Sequence, residues 1–224
     1  MLSQNMILQT AKSIVQAEGI EELSMRKLAE KLHVKAASLY NHIRNKDHLI
    51  GLLLDDVISQ IALPRENEDW QLEMRTRAES AHQVFLENAW SLMPLLSRIN
   101  SGPAMLRYID RSLACLKRAG FTLPEADRIL NFFDSYIYGF TLIELQFPIQ
   151  TEDYSSTTKE MIPSLSQAEY PSMYRLSTML LQGQYDGRQD FVSGILTILR
   201  GLEMTLIEKG RVHDGSKNDE GRDL

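Results

Sequence analysis

The sequence predicts an all-α protein in which a small N-terminal helical unit is followed by a larger helical unit. Apolar residues recur throughout at the three- and four-residue spacing of amphipathic helices, and no convincing run of alternating apolar and polar residues indicates a strand. With 43% hydrophobic residues, the 224-residue chain can bury one large core or two small ones. A polar connector over residues 63–69 separates the two units.

Three helices are predicted at the start of the chain. The first runs from Ser3 to Glu18 and ends at Gly19, because glycine tolerates the left-handed conformation that closes a helix. The second begins after Ser24, whose hydroxyl can accept a hydrogen bond from a free amide of the first turn. After a turn at His33 and Val34, the third runs from about Lys35 to His42. Their predicted buried residues are Ile7, Ala11, Ile14, Val15, Met25, Leu28, Ala29, Leu32, Leu39 and Ile43.

A fourth helix is predicted to connect the two units. Asn45 is a good N-cap for it, and Asp47 complements the positive end of the helix dipole. Pro64 is expected to close it. Its apolar stripe consists of Leu49, Leu53, Val57 and Ile61.

The larger unit is predicted to contain six successive helices, of which the second is short. They run over about 70–91, 95–99, 104–119, 124–147, 171–183 and 188–209, and the first is expected to break near Pro94. The helix over 124–147 has the strongest start signal. Thr122 can cap it, Glu125 can return the hydrogen bond, and Pro124 fits the first turn.

Two segments of this unit are not predicted to be helical. Residues 149–165 are rich in Ser, Thr and acidic residues and are expected to form a flexible loop. Gly210 is expected to cap the last helix, and residues 211–224 form a polar tail predicted to be disordered.

Residues 24–43 fit a helix-turn-helix. Two short helices joined by a tight turn cross closely, and Ala29 provides the small residue that the crossing needs. Short side chains at Ala36 and Ala37 would let the second helix lie deep in a major groove, where base edges are read. The alternative is an ordinary three-helix bundle, which has the same apolar pattern and binds no DNA.

The distribution of charge favours nucleic-acid binding more than the net charge of −6 does. Residues 1–63 hold seven basic and seven acidic side chains, so the later part of the chain is the acidic part. Between Arg26 and Lys46 there are six basic residues and one acidic residue, Glu30. The sequence therefore predicts a small basic face on an acidic body.

Two ungapped stretches carry a resemblance to a known family. Residues 19–32, GIEELSMRKLAEKL, resemble the start of the DNA-binding domain of the tetracycline-repressor (TetR) family, and residues 38–49, SLYNHIRNKDHL, resemble its signature LYxHxxNKxxLL. More weakly, residues 120–123 and 201–203 resemble the tetracycline-responsive branch. The resemblance implies a ligand-responsive transcriptional regulator, usually a repressor, that binds a palindromic operator as a cytoplasmic homodimer.

The resemblance also implies domains and DNA contacts. It divides the chain into a helix-turn-helix domain with its connecting helix (1–62), a ligand-binding and dimerisation domain (63–210) and the tail (211–224). Arg26 is the candidate base reader at the start of the second helix, and the start of the third helix would lie against base edges. Tyr40, His42 and Lys46 would hold the backbone. The implied DNA-binding residues are Ser24, Arg26, Lys35, Ala36, Ala37, Ser38, Tyr40, His42 and Lys46.

The chain departs from the family pattern at three places. Met25 stands where a small hydroxyl residue is common, and Ala36-Ala37 replaces bulkier base readers, so the operator is expected to differ from the tetracycline operator. His33 occupies the turn where the family often has glycine. Histidine can take the left-handed conformation there at a cost of about 1 kcal/mol.

The helices from Trp70 to Phe147 are expected to enclose an effector pocket. Taken singly, each candidate lining residue fits the plain core better than a ligand contact, and Glu144 would need a partner if it were buried. The tetracycline repressor holds its drug as a magnesium chelate through a histidine just before the helix that here starts near Ala104. This chain has no histidine between His82 and His213, so tetracycline–magnesium is not expected. The candidate lining residues are Trp90, Met93, Asn100, Met105, Tyr108, Phe133, Tyr136, Phe140 and Glu144.

The helices over 124–147 and 188–209 have broad apolar faces, which similarity to the family assigns to a four-helix dimer interface. Part of each face would still line the core of the single subunit. Ligand binding is expected to shift the fourth helix, so that the two recognition helices of a dimer no longer fit two half-sites together.

Other classes of protein leave no signature. There is no phosphate-binding loop, nucleophile elbow, zinc-protease motif or dinucleotide fingerprint, so no enzymatic activity and no cofactor or metal is predicted. Cys115 is the single cysteine, and no signal peptide or membrane span is visible, which predicts a cytoplasmic protein. An enzyme, a ligand-independent architectural DNA binder and a protein-interaction adaptor remain alternatives.

Overall fold

The computed structural model describes residues 2–147, 154–187 and 190–219, and these are helical throughout with no strand among them. Short 3₁₀ segments at Ala89–Ser91 and Ile162–Ser164 accompany eleven α-helices in this part of the chain. The helices are α1 Gln4–Glu18, α2 Met25–Lys31, α3 Ala36–Leu39, α4 Lys46–Ile58, α5 Trp70–Glu87, α6 Leu92–Leu96, α7 Pro103–Arg118, α8 Leu123–Gln146, α9 Tyr154–Met161, α10 Pro171–Leu181 and α11 Phe191–Asp219. The predicted all-α fold class is confirmed.

Local capping explains where the first helices begin. Ser3 Oγ accepts from Met6 N at 3.3 Å, Ser24 Oγ from Lys27 N at 3.2 Å, and Asn45 Oδ1 from His48 N at 2.7 Å. Each is an N-cap, which satisfies one of the free amides of a first turn. The residues predicted to be buried on α1 and on the fourth helix are buried, although Ile61 lies beyond the end of α4. Met25 on α2 and Leu32 at its C-terminal cap are only half-buried.

Helix α4 lies between the N-terminal helices and the rest of the molecule. It packs against α1 and also against α5, α6 and α7. It ends at Ile58, before the predicted end at Pro64, because tight turns at Gln60 and Ile61 bring the chain off the helix axis. Pro64 is buried beyond that turn.

Helices α5, α7, α8 and α11 form the main core, and Arg77 on α5 lies inside it with no exposed surface. Its Nη2 donates to Asp134 and to Tyr108 Oη, and the guanidinium lies over the Tyr108 ring, 4.3 Å from the centroid. Burial raises the pKa of Tyr108, which keeps its hydroxyl protonated as a donor to Asp134 at 2.8 Å. Removing one partner of a buried pair of this kind costs about 3–5 kcal/mol, so the cluster fixes α5, α7 and α8 together.

The predicted end of α5 and both predicted ends of α6 are wrong. The break after α5 lies at Asn88, whose backbone leaves the helical region and whose side chain donates to Val84 O at 2.9 Å. Pro94 instead sits in the first turn of α6, which runs from Leu92 to Leu96 and not from 95 to 99. A proline is tolerated there because amides of a first turn have no helical partner.

The segment predicted as a loop over 149–165 contains helix α9, which packs against α10 and buries Thr158. This packing outweighs a sequence of weak helical preference; residues 148–153 lie outside the described residues. Helix α11 continues through Gly210 to Asp219, so the predicted cap at Gly210 is wrong, while the disorder predicted for residues 211–224 stays a prediction. Residues 220–224 lie outside the described residues.

The start of α8 is tied to the far end of α11. Thr122 and Glu125 form the predicted capping box, with Thr122 N donating to Glu125 Oε2 at 2.9 Å. Glu125 also accepts a hydrogen bond from Lys209 Nζ, and this bond, together with that from Thr122, lowers the pKa of Glu125 to about 2. The charged carboxylate therefore holds two long helices of the core together.

We expect Glu125→Gln to lower the thermal stability at neutral pH, because the amide loses the ion pair with Lys209. A carboxyl whose pKa is lower in the folded state stabilises above its unfolded pKa and loses that contribution as the pH falls. The melting temperatures of wild type and variant should therefore differ at pH 7 and converge as the pH falls from about 4.5 towards 2. Exposed Glu203→Gln is the control; a gap that persists in acid would contradict the assignment.

Candidate nucleic-acid interface and effector region

Helices α2 and α3 cross at a tight turn. Leu28 and Ala29 are buried at the crossing, and Val34 N donates to Ala29 O at 3.0 Å, which folds the chain back over the end of α2. His33 has φ of +54°, the left-handed conformation predicted for this position. Leu39 and Ile43 are buried and fix α3 from its other end. This is the geometry of a helix-turn-helix.

Helix α3 is shorter than predicted. It ends at Leu39, and residues 40–42 form a turn in which both His42 N and Ile43 N donate to Leu39 O at 2.9 Å. The turn leaves Tyr40 with 53% of its surface exposed. An exposed tyrosine at the end of a short helix can donate its hydroxyl proton to a phosphate oxygen.

All the predicted DNA-binding residues reach the surface. Those at the start of α3 carry short side chains, so the backbone of α3 can approach a groove closely. The Ser24 hydroxyl accepts its capping bond through the oxygen, which leaves its proton available to a phosphate. Ser24, Arg26, Lys35, Ala36, Ala37 and Tyr40 are exposed, while Ser38, His42 and Lys46 are half-buried.

The basic face is smaller than the sequence suggests. Lys27 binds Glu18 and Glu22, and Lys31 Nζ lies 3.1 Å from Glu18 Oε1. The hydrogen bond from Lys27 lowers the pKa of Glu18, and the same bond raises the pKa of Lys27, so both groups stay charged and paired. These lysines hold α2 against the end of α1, a role that sequence reasoning did not assign.

The remaining cations flank the turn and α3. The Arg26 side chain is 89% exposed and reaches Glu30 only at 3.6 Å. No ion pair is found for Lys35, Arg44 or Lys46 within the described part of the chain. Lys46 is the first residue of α4, where free amides and the helix dipole also favour a phosphate. These groups are the cations of residues 24–46 that stay available to an anionic partner.

The predicted effector-pocket residues separate into three groups. Met105, Tyr108 and Phe133 are buried; Trp90, Asn100, Tyr136 and Phe140 are half-buried; Met93 and Glu144 are exposed. Asn100 and Met105 line a cavity of about 240 Å³ between α4 and the loop from α6 to α7. This cavity also borders Arg44, His48 and Asp55 of the N-terminal unit, none of which sequence reasoning assigned to a ligand region.

A second region gathers aromatic rings from α5, α8 and α11. His82 stacks on Phe191 with centroids 4.1 Å apart and meets Phe140 edge-on, and Tyr136 Oη donates to Phe191 O at 3.1 Å. His82 Nε2 lies 3.2 Å from Glu144 Oε2; because Glu144 is exposed, the condition under which it was expected to need a partner is not met. Burial lowers the pKa of His82. The cluster forms only where three helices meet. For this reason nothing in the sequence indicated that His82 and Phe191 would join Tyr136 and Phe140.

Exposed apolar side chains mark the predicted dimer faces. Phe132 and Ile143 on α8 are 57% and 61% exposed, and Met204 and Ile207 on α11 are 53% and 42% exposed. Other residues of the same stripes face inward: Phe133, Phe191, Ile195 and Leu199 are buried. The inward-facing residues of these stripes belong to the core of the subunit, and the exposed ones stay available to the predicted interface.

Over the described ranges, no three His, Cys, Asp or Glu side chains are grouped so that they could hold a metal ion. In the same ranges, no helix combines the length and apolar character needed to cross a membrane.

Two family models match the chain. The model for bacterial regulatory proteins of the tetR family matches residues 7–53, and the model for the tetracyclin repressor-like C-terminal domain matches residues 63–206. The first contains α2, α3 and the turn between them, and the second contains α5 to α10 and most of α11.

Individual relatives span nearly the whole chain. It is 26% identical over 219 residues to the HTH-type transcriptional repressor DrrR1 of Streptomyces coeruleorubidus, covering 93% of this chain and 80% of that protein. It is 23% identical to the tetracycline repressor protein class D of Escherichia coli, with 96% of each chain covered. The structure of the Streptomyces coelicolor TetR family protein ActR in complex with (S)-DNPA aligns with a TM-score of 0.76 at 25% identity, covering 91% of this chain and 98% of ActR.

The strained turn at His33 leads to a stability prediction. Glycine adopts positive φ without the steric cost that a Cβ atom imposes, so His33→Gly should stabilise the protein by about 1 kcal/mol. The measurement is urea unfolding at a fixed protein concentration.

Glu21→Gly provides the control, since Glu21 lies in an exposed turn without positive φ. There, glycine should bring no gain. A loss of stability in His33→Gly would mean that the imidazole makes a stabilising contact worth more than the backbone strain.

Proposed function

The chain belongs to the TetR family of bacterial regulatory proteins, and on this premise we propose that it represses transcription from a palindromic operator until a small organic effector releases it. It is a DNA-binding transcriptional regulator, as are DrrR1 and the class D tetracycline repressor. The observation that carries the proposal is the α2–α3 unit. This unit presents an exposed recognition surface, and the left-handed conformation of His33 forms the turn between its two helices.

The proposed DNA contacts divide into two kinds. Arg26 and the start of α3, from Lys35 to Ser38, face base edges in the major groove. Ser24, Tyr40, His42 and Lys46 bind phosphates and fix the register of the helix. The short side chains of Ala36 and Ala37 allow apolar contact with thymine methyl groups, so the operator differs from one read by longer polar residues.

The proposed dimer brings two such surfaces together. The exposed apolar residues of α8 and α11 are those that a four-helix interface would cover, which supports a two-fold dimer through these helices. A two-fold dimer places its recognition helices about 34–36 Å apart on successive turns of one face of DNA. A palindromic site follows from this symmetry.

The effector is proposed to bind among α5, α7 and α8, between the buried Arg77–Asp134–Tyr108 cluster and the aromatic residues around His82. Apolar and aromatic walls with a few polar groups are the usual composition of a site for an organic ligand. ActR, which has the same fold, is known in complex with the small molecule (S)-DNPA. We propose no catalytic role for these residues, since the relatives are regulators.

We expect saturable binding to a palindrome upstream of the protein's own gene, measured by fluorescence anisotropy across a salt series. The Tyr40→Ala, Lys46→Ala double variant should lose roughly fivefold or more in affinity, because about 1–3 kcal/mol is lost with two phosphate contacts. Its salt dependence should also be shallower. Tyr170→Ala, Lys117→Ala, which removes the same side-chain types from exposed positions on the body, is the matched control.

The outcomes separate the remaining classes of function. Equal binding to scrambled DNA, with steep salt dependence, would indicate an architectural binder. A folded dimer that binds no DNA, or a double variant that binds as wild type does, would overturn the proposed interface and favour an adaptor.

Tetracycline with magnesium is expected not to release the operator. The side chains just before α7 are engaged in structural contacts: Arg98 Nη1 donates to Asp47 at 2.7 Å and Asn100 Nδ2 donates to Leu95 O at 2.9 Å. Anisotropy of the operator complex should be unchanged when both are added. Release at micromolar tetracycline that requires magnesium would show that other groups hold the chelate.

A further inference from the structure

Helix α7 receives its N-terminal cap from the DNA-binding side of the molecule. Asp55 on α4 accepts, through Oδ1, hydrogen bonds from Ala104 N at 2.9 Å and Met105 N at 3.1 Å. The N-cap residue of α7 is Gly102, which has no side chain to bind these amides. A negative carboxylate at a helix N-terminus also complements the dipole. The first turn of α7 is therefore completed by a residue 49 positions earlier in the chain.

The approach of α4 to this turn is close. A Cβ atom on Gly102 would lie 2.2 Å from Asp55 Oδ1, closer than any real Cβ contact, so glycine is what permits the carboxylate to reach the amides. A second link, from Arg98 Nη1 to Asp47 Oδ1 at 2.7 Å, joins the start of α4 to the same loop. Its two side chains are 32% and 78% exposed, so water screens it.

Between these two polar links the structure is not close-packed. The cavity of about 240 Å³ lies here, bordered by Gly51 and Leu52 of α4 and by residues 99–103 of the loop. At this cavity, a displacement of α4 meets open space beside Gly51 and Leu52, although Leu54 and Ile58 of the same helix stay buried. The Asp55 cap is a discrete interaction that is either made or broken, which is the kind of element that couples two sites.

The capped turn leads directly to the proposed effector region. Tyr108 lies one turn after Ala104 on α7 and donates to Asp134 of α8 at 2.8 Å, beside buried Arg77. A ligand that moves Tyr108 moves the amides that Asp55 holds. At the other end of α4, Asn45 caps the helix directly after the α3 turn, so a shift of α4 repositions the recognition helix.

We propose that Asp55 is the positioning residue that couples the effector region to the DNA-binding surface. The operator-binding position of α4 and the folded first turn of α7 stabilise each other through its carboxylate. By linkage, DNA binding must then protect the start of α7, just as disturbance of α7 must weaken DNA binding. The coupling to DNA rests on the proposed function. The cap itself does not, because it can be tested in the protein without DNA.

The test is amide hydrogen exchange, read by mass spectrometry on the full-length dimer with and without operator DNA. In the free protein, Asp55→Ala should raise exchange at residues 104 and 105 by roughly fivefold or more, the effect of removing a helix cap. Asp55→Asn, which keeps an acceptor oxygen, should restore most of the protection. Gly102→Ala, which displaces the carboxylate without removing it, should behave as Asp55→Ala does.

Operator DNA distinguishes coupling from a merely structural cap. In wild type, DNA should slow exchange at residues 104 and 105 as well as in α2 and α3. In Asp55→Ala, protection of α2 and α3 should persist while protection of the start of α7 is lost. Asp110→Ala, at an exposed position on α7, is the control and should behave as wild type.

Each alternative result has a separate meaning. Unchanged exchange at 104 and 105 in free Asp55→Ala would overturn the cap. Remote protection by DNA that survives in Asp55→Ala, or that is absent in operator-bound wild type, would overturn the coupling while leaving the regulator function intact. A wild type that binds no operator would refute the proposed function, and the coupling with it, although the free-protein comparison would still decide the cap.

Discussion

Helix α4 has to satisfy two hydrophobic environments at once, and most of the structure depends on how it does so. Six of its thirteen residues are buried apolar side chains, and they face α1 on one side and α5, α6 and α7 on the other. A helix whose buried side chains pack on two faces transmits a displacement from one face to the other. The position of the recognition surface relative to the body is therefore set by packing around this one helix.

The features that the sequence predicted are those that depend on neighbouring residues. The caps at Ser24 and Asn45, the capping box of Thr122 and Glu125, and the left-handed turn at His33 are present as expected. The fold class follows from these local signals and the helical periodicity, whereas the family was indicated by the resemblance of residues 19–32 and 38–49 to its DNA-binding domain. The boundaries that failed have two causes: tight turns at Asn88, Gln60 and Ile61 that the periodicity does not show, and packing between helices, as for α9 against α10.

The candidate site shows the same division. The sequence placed the DNA-contacting residues on a helix-turn-helix, and all of them reach solvent; their roles stay predictions. It counted Lys27 and Lys31 with the basic face, because their partner Glu18 belongs to the preceding helix and the pairing depends on how α1 meets α2. The contact from Asp55 to α7 has no local signature, since Asp55 resembles any other charged residue on α4. Only the tertiary structure shows that it reaches a helix lacking its own cap.

The borrowed cap limits how this architecture can be recombined. Exchanging the DNA-binding half for that of a relative is an obvious way to redirect such a regulator to another promoter. A graft that ends before Asp55 keeps the cap and the body intact. A graft that carries a foreign α4 brings whatever residue the donor has opposite Gly102, and a bulky or apolar one leaves two amides of α7 without acceptors. The useful junction for chimeric regulators thus lies inside helix α4, upstream of Asp55, and not in the polar connector over residues 63–69.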